Sequence, residues 1–220
     1  MATPVAAATG GAVNSRSRYW LVPVARAAVA AVAAVVITFN GNHSPWLGLS
    51  VFGGFAVLTA LIEIVLGSAR LAADRVSRRT FFAQAIITLA AGVVALALAP
   101  NSSLPAFYAI VIVWALLTGA LELYSGFRLR RRSPLARDWT TIGGLTVLLA
   151  VAFLLVPPGL DHQFTGPDGI DRSLTASIVT VGIFGAYAAI GAVLLVIGGF
   201  SLKWGTDESG RVPPETEARP

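Results

Sequence analysis

Six apolar stretches, each close to the roughly 20 residues that an α-helix needs to cross a lipid bilayer, dominate the chain. Hydrophobic residues make up 55% of the 220 positions and charged residues 12%, and the mean hydropathy is +0.75. A soluble domain usually carries about 25% charged residues. The sequence therefore predicts an all-α, polytopic membrane protein with six transmembrane helices.

The spans are predicted at residues 19–39, 46–66, 81–99, 106–127, 139–156 and 174–202, within a transmembrane domain over residues 19–203. Residues 1–18 and 204–220 contain too little apolar surface to fold alone, so both are predicted to be disordered cytoplasmic tails. A cleaved secretory signal is the competing interpretation of the first span, because basic residues precede its apolar run. That span is longer than the core of a signal and matches later spans, which favours a retained helix.

Lysine and arginine are distributed unevenly between the two sides of the predicted bundle. Fourteen lie in the tails and in the second and fourth connections, whereas Arg172 alone lies in the other three connections. Cytoplasmic segments carry the excess of basic residues, so both termini are predicted to be cytoplasmic. The basic connections are predicted to face anionic phospholipid headgroups. Their arginines are Arg70, Arg75, Arg78, Arg79, Arg128, Arg130, Arg131, Arg132 and Arg137.

The even-numbered spans repeat one pattern in register, at residues 55–67, 114–126 and 187–199. Each copy begins with an aromatic residue and ends with glycine. Glu63 and Glu122 lie four residues before that glycine in the first two copies, and Leu195 takes the place in the third.

The odd-numbered spans repeat as well, since each is preceded by arginine and, two residues later, an aromatic residue. The three copies are Arg18 to Trp20, Arg79 to Phe81 and Arg137 to Trp139, at about 60-residue spacing. Together these patterns predict a triplicated helical hairpin, at about 19–66, 81–127 and 139–202. Such repeats are parallel in topology, unlike the inverted repeats common among secondary transporters.

Several of these segments also resemble the HdeD family of bacterial acid-resistance membrane proteins. The resemblance spans about residues 18–203 and rests on the Trp20-to-Arg26 spacing, the Phe-Gly-Gly-Phe-Ala run at 52–56, the Phe-Gly-Ala-Tyr-Ala run at 184–188 and the segment 114–131. It implies six transmembrane helices in a bacterial inner membrane and a role in acid stress. The chain departs from the family pattern at Thr59, Thr118 and Gly191, where an acidic residue is common.

Arg26, Glu63 and Glu122 are the ionisable residues that lie well inside the apolar spans. At about 1.5 Å per residue, each lies roughly 10 Å from a boundary arginine on the cytoplasmic side. A lone charge at the bilayer centre costs about 2.5–3.5 kcal/mol, so this shared depth predicts an intramembrane charge cluster in which Arg26 pairs with Glu122 or Glu63. Either these side chains extend to the headgroups or form a structural pair, or they form a proton-responsive or transport site.

Other candidate sites carry weaker signals. His43 and His162 are predicted on the outer side, where a histidine would suit an acid sensor, although a loop histidine usually just faces solvent. Asp161, Asp168 and Asp171 lack the spacing of a calcium loop. No metal site, cofactor, catalytic nucleophile or nucleic-acid-binding motif is therefore predicted, and the chain is not expected to be an enzyme.

Three classes of function remain at this point. A structural or stress-protective membrane protein fits the uncharged outer connections and the HdeD resemblance, and a small transporter or channel is the alternative. The basic connection at residues 128–137 would also suit an adaptor that binds a cytoplasmic partner. The sequence leaves open whether the protein forms a homo-oligomer or binds another membrane protein.

Overall fold

The computed structural model of the chain describes residues 20–67, 75–130, 135–167, 169 and 171–204. Its helices are α1 (Leu21–Phe39), α2 (Pro45–Ile62), α3 (Arg75–Leu98), α4 (Leu104–Leu129), α5 (Leu135–Leu155) and α6 (Ala176–Trp204). Within these described ranges, six helical segments are long and apolar enough to cross a membrane. The predicted class, an all-α protein with six transmembrane helices, is thereby confirmed. Residues 1–18 and 205–220 lie outside the described residues, as do Arg70, Arg131, Arg132 and Asp168.

Helix ends agree with the predicted spans to within a few residues and differ most beside the basic connections. Helix α3 begins at Arg75 and α5 at Leu135, both earlier than predicted. Arginine is a good helix former, so these connections continue the helical backbone beyond the apolar run. Helix α2 ends in a π-helical turn, Glu63–Gly67, which its sequence does not signal.

A serine cap with proline at the first or second helical position starts two of the helices. The Ser44 side chain accepts a hydrogen bond from Leu47 N at 3.4 Å before α2, and Ser103 accepts one from Ala106 N at 3.4 Å before α4. A hydroxyl at this position satisfies one of the backbone donors that the first helical turn leaves free. These caps begin α2 after the connection from α1, and α4 after the connection from α3.

The six helices form a closed ring in chain order. Each even-numbered helix packs most extensively against an odd-numbered helix of the neighbouring hairpin: α2 against α3, α4 against α5 and α6 against α1. The two helices of each predicted hairpin, α1 with α2, α3 with α4 and α5 with α6, share smaller interfaces. The extensive interfaces therefore join successive hairpins to one another.

Glycine explains which pairs pack closely. Small residues let two transmembrane helices approach until their backbones nearly touch. In each extensively packed pair, a Cβ added to a glycine would fall under 3.0 Å from the partner helix: on Gly53 it would lie 2.7 Å from Leu96 Cγ, on Gly143 2.8 Å from Leu123 N, and on Gly199 2.6 Å from Val24 Cγ2.

The longest connection contains a β-hairpin that the sequence analysis did not predict. Strands β1 (Asp161–Thr165) and β2 (Asp171–Thr175) pair antiparallel, with Thr165 opposite Asp171. The turn includes Gly169, whose φ of 75° suits glycine, and Gly169 N donates to Gly166 O at 2.9 Å. Strands this short and solvent-exposed have no buried face, so no alternating pattern marks them in the sequence.

The two ends of the transmembrane domain meet on one side of the bundle, called here the terminal face. Lys203 Nζ lies 4.6 Å from the centroid of the Trp20 ring, which links the end of α6 to the start of α1. The opposite side, called the loop face, carries residues 40–44, residues 99–103 and the β-hairpin. Between the faces, large apolar side chains point outward; Val32 and Leu154 are each 64% exposed. A bilayer would cover this surface.

Candidate functional site

One cationic and two acidic side chains meet inside the bundle, and we call them the charge cluster: Arg26 of α1, Glu63 of the π-helical turn and Glu122 of α4. Arg26 Nη1 lies 3.2 Å from Glu63 Oε1, and Arg26 Nη2 lies 3.7 Å from Glu122 Oε1. Arg26 thus contacts both candidate partners. Because the carboxylates belong to different hairpins, Arg26 links α1 to both α2 and α4.

The repeat explains how two acids from distant parts of the chain reach one cation. Glu63 and Glu122 occupy equivalent positions, four residues after Thr59 and Thr118, and both helices turn this position toward the bundle interior. The third equivalent position, on α6, holds Leu195. The three sequence copies therefore place two acids and one leucine at this position, so the third copy contributes no charge to the cluster.

Burial makes the electrostatic balance of the cluster important. The side chains of Glu63 and Glu122 are 1% and 7% exposed, and that of Arg26 is 16% exposed. Among the described residues, Glu63 Oε2 and Glu122 Oε2 have no hydrogen-bond partner. One guanidinium faces two carboxylates, so the fully ionised cluster has one excess negative charge. Such a site can hold helices together, and its unpaired oxygens can accept a hydrogen bond or a proton.

Polar side chains from the other three helices contact the charge cluster or lie near it. Gln84 of α3 donates from Nε2 to Glu122 Oε1 at 2.6 Å. Thr146 of α5 lies 3.1 Å from the hydroxyl of Tyr187 of α6. Sequence reasoning did not place these three residues at the site. The available signal was that Gln84 and Thr146 are polar residues within apolar spans, where polar groups usually face a partner.

Toward the loop face, the space beside the charge cluster is filled by five aromatic rings, called here the aromatic layer: Phe52, Phe55, Trp114, Phe184 and Tyr187. Ring centroids lie 5.1 Å apart for Phe52 and Trp114, and 5.5 Å apart for Phe52 and Phe184. Phe52 and Phe184 are fully buried. The three repeats contribute Phe55, Trp114 and Tyr187 from equivalent positions. A solute moving along the bundle axis would have to displace these rings.

The predicted basic residues lie away from the charge cluster. Arg79, Arg128, Arg130 and Arg137 are exposed near the terminal face, and Arg128 donates to the Tyr124 hydroxyl at 3.0 Å. The backbone of Arg75 and Arg78 belongs to α3, but their side chains lie outside the described part of the structure. The two histidines are on the loop face: His43 follows α1, and His162 is exposed on β1. Within the described ranges, no group of three potential metal ligands occurs.

Comparison with known proteins identifies one matching segment. Residues 83–156 match a family model described as a short repeat of unknown function, DUF308. That family includes HdeD-like membrane proteins. The segment covers the part of α3 from residue 83 onward together with α4 and α5, and so contains Gln84, Glu122 and Thr146. No curated protein and no solved structure matches the chain.

Proposed function

We propose that this protein is a non-enzymatic, structural membrane protein that protects the bacterial inner membrane during acid stress. Support comes from the DUF308 match, from the resemblance to the HdeD family, and from a core of packed apolar side chains inside the bundle. In this proposal the charge cluster ties the hairpins together.

The contact of Arg26 with carboxylates from two different hairpins is the observation that carries the structural role. A charged group buried in a membrane is costly without a partner, so the three side chains favour one mutual arrangement of α1, α2 and α4. The aromatic layer supports the same role, because closely packed rings strengthen the centre of the bundle and oppose a polar passage along its axis.

A proton-responsive protein or small transporter is the second candidate, and the excess carboxylate favours it. Two buried carboxylate oxygens without hydrogen-bond partners in the described structure could take up a proton. Purified protein in liposomes distinguishes the two functions. A pH gradient that drives proton or ion flux through the native protein, with the flux lost in a folded Glu122→Gln variant, would support transport and contradict the structural proposal.

The acid-protection proposal predicts a phenotype. A strain lacking the gene should survive exposure to low pH less well than its parent and should leak more of a small cytoplasmic dye. Expression of the native chain should restore both properties, while the Arg26→Leu chain should restore less, because its bundle is destabilised. Equal survival and leakage in the deletion strain and its parent would contradict the proposal.

The proposed orientation places the terminal face in the cytoplasm. Arg79, Arg128, Arg130 and Arg137 would then face anionic phospholipid headgroups, which attract basic side chains near the membrane surface by about 1 kcal/mol each. Partners beyond the bilayer, such as a second copy of the chain or another membrane protein, would bind outside the closed ring.

Reporter fusions test this orientation directly. Fusions after Asn42, Ser102 and Phe164 should report the outer side, and fusions after Ala73, Ser133 and Gly210 should report the cytoplasm, because basic segments are retained inside. One clear reversal within either set would contradict the six-span topology, and reversal of all six would contradict only the orientation.

A further inference from the structure

The third repeat leaves space beside Arg26. Gly191 and Leu195 stand where the first copy has Thr59 and Glu63. A Cβ added to Gly191 would meet nothing within 4 Å. A cavity of about 20 Å³ lies here, lined by Arg26, Thr59, Tyr187, Gly191 and Leu195 among others. About 10–15 Å³ of such space is enough for one water molecule.

The polar groups around this space could hold water. Thr59 Oγ1 is buried and has no hydrogen-bond partner among the described residues. A second cavity, of about 40 Å³, is lined by Arg26, Glu122, Asp138 and Leu195. Glu122 Oε2 is likewise buried without a hydrogen-bond partner in the described structure. Buried water usually lies where such otherwise unsatisfied groups converge.

These inner spaces adjoin a larger cleft at the terminal face. The cleft has a volume of about 390 Å³ and lies between α5 and α6, beside Pro23 of α1. Asp138 and Leu195 line both the cleft and the 40 Å³ cavity, so the two are neighbours. Arg137, Thr141 and Ser201 supply further polar groups to the cleft.

A groove in the first hairpin lies nearer the middle of the apolar spans than this cleft and differs from it in chemistry. This groove of about 360 Å³ between α1 and α2 is lined almost wholly by apolar side chains, with Ser50 as its polar exception. Such a surface suits lipid tails. The cleft between α5 and α6 carries two charged side chains and two hydroxyls, which water solvates far better than hydrocarbon does.

We infer that the cleft between α5 and α6 is hydrated and gives water access to Glu122 of the charge cluster from the terminal face alone. The cleft binds water, and protons reach Glu122 through that water. The aromatic layer closes the opposite direction, because Phe52 and Phe184 are fully buried between the cluster and the loop face. Proton exchange at the cluster therefore takes place with one side of the membrane.

Thiol labelling tests this inference, since the native chain contains no cysteine. Leu195→Cys and Thr141→Cys place thiols in the cleft. Val193→Cys is the matched control, because the Val193 side chain is 59% exposed on the lipid-facing side of α6. A charged, membrane-impermeant methanethiosulfonate reacts with the thiolate, which forms in water and not in hydrocarbon. The Leu195 and Thr141 variants should react at least about tenfold faster than the Val193 variant.

Sidedness is read from inverted and right-side-out membrane vesicles, with His43→Cys as the loop-face marker. Cleft thiols should react in the vesicles in which the His43 variant is protected. A Leu195 variant that reacts no faster than the Val193 variant, or that reacts from the same side as the His43 variant, would overturn the inference. The cleft thiols could instead react on the side opposite the His43 variant, with that side being the outside of the cell. That result would support the hydrated cleft and contradict only the proposed orientation.

A measurement on the native chain covers the case in which a cysteine variant fails to fold. Hydroxyl radicals made from water by X-rays oxidise side chains beside hydrated space, and mass spectrometry locates the products. Ile142 and Leu195, which line the cleft, should be oxidised several-fold faster than Val111 and Val181, which are fully buried toward the loop face. Equal, slow oxidation of all four would overturn the inference.

Discussion

Replacing Arg26 with leucine is expected to lower the free energy of unfolding by about 3–5 kcal/mol, because the change leaves two buried carboxylates without their cation. Thermal melting in detergent, followed by tryptophan fluorescence, should show a lower Tm for this variant and a reduced folded yield. Val32→Leu is the matched control, since Val32 lies on the same helix and faces the bilayer. That change should leave the Tm close to the native value.

Removing the whole charge cluster should be less harmful than removing the cation alone. A buried ion pair replaced completely by apolar residues is often tolerated, whereas one unpaired partner is not. The variant with leucine at Arg26, Glu63 and Glu122 should therefore recover much of the stability that Arg26→Leu loses. Additive losses from the three substitutions would refute pairing within the cluster.

Double-mutant cycles separate the two contacts. The shorter distance, 3.2 Å to Glu63 against 3.7 Å to Glu122, predicts stronger coupling of Arg26 with Glu63. Glu122 also accepts a hydrogen bond from Gln84, so Glu122→Leu removes a partner from two side chains. A larger Arg26 coupling to Glu122 than to Glu63 would contradict this order.

The second large loss of stability is expected from a substitution at Gly143 of α5, but not at its neighbour Gly144. A Cβ on Gly143 would lie 2.8 Å from Leu123 N and 3.0 Å from Gly119 O, which are backbone atoms of α4 and cannot rotate away. Gly143→Ala must therefore push α5 from α4, at a cost of about 1–3 kcal/mol. Glu122 would shift as well, because its own Cβ lies 2.8 Å from the added atom.

Gly144→Ala is the control for this prediction. A Cβ on Gly144 meets nothing within 4 Å, and alanine favours the helix over glycine by up to about 1 kcal/mol. Thermal melting should therefore show a lower Tm for Gly143→Ala and an equal or higher Tm for Gly144→Ala. Equal melting of the two variants would mean that α4 and α5 do not pack through Gly143.

Part of the candidate site was predictable because charge inside an apolar span is costly. Arg26, Glu63 and Glu122 stand out for that reason, and helical rise alone puts them at one depth. Their geometry was not predictable, since depth does not determine which helices are neighbours. The contribution of Gln84 depends on α3 lying beside α4, and the hydrated cleft depends on α5 and α6 sharing a small interface.

The sequence by itself determined the number of spans. Every backbone polar group in a bilayer must be satisfied within its own segment, so each run of roughly 20 apolar residues becomes a helix. The tertiary structure alone decided which helices pack together. A helix that is apolar on all sides has no hydrophobic stripe to mark its buried face, and here the faces are selected by local fit. Gly143 contacts α4 while its neighbour Gly144 faces open space, although both are glycines in the same apolar run.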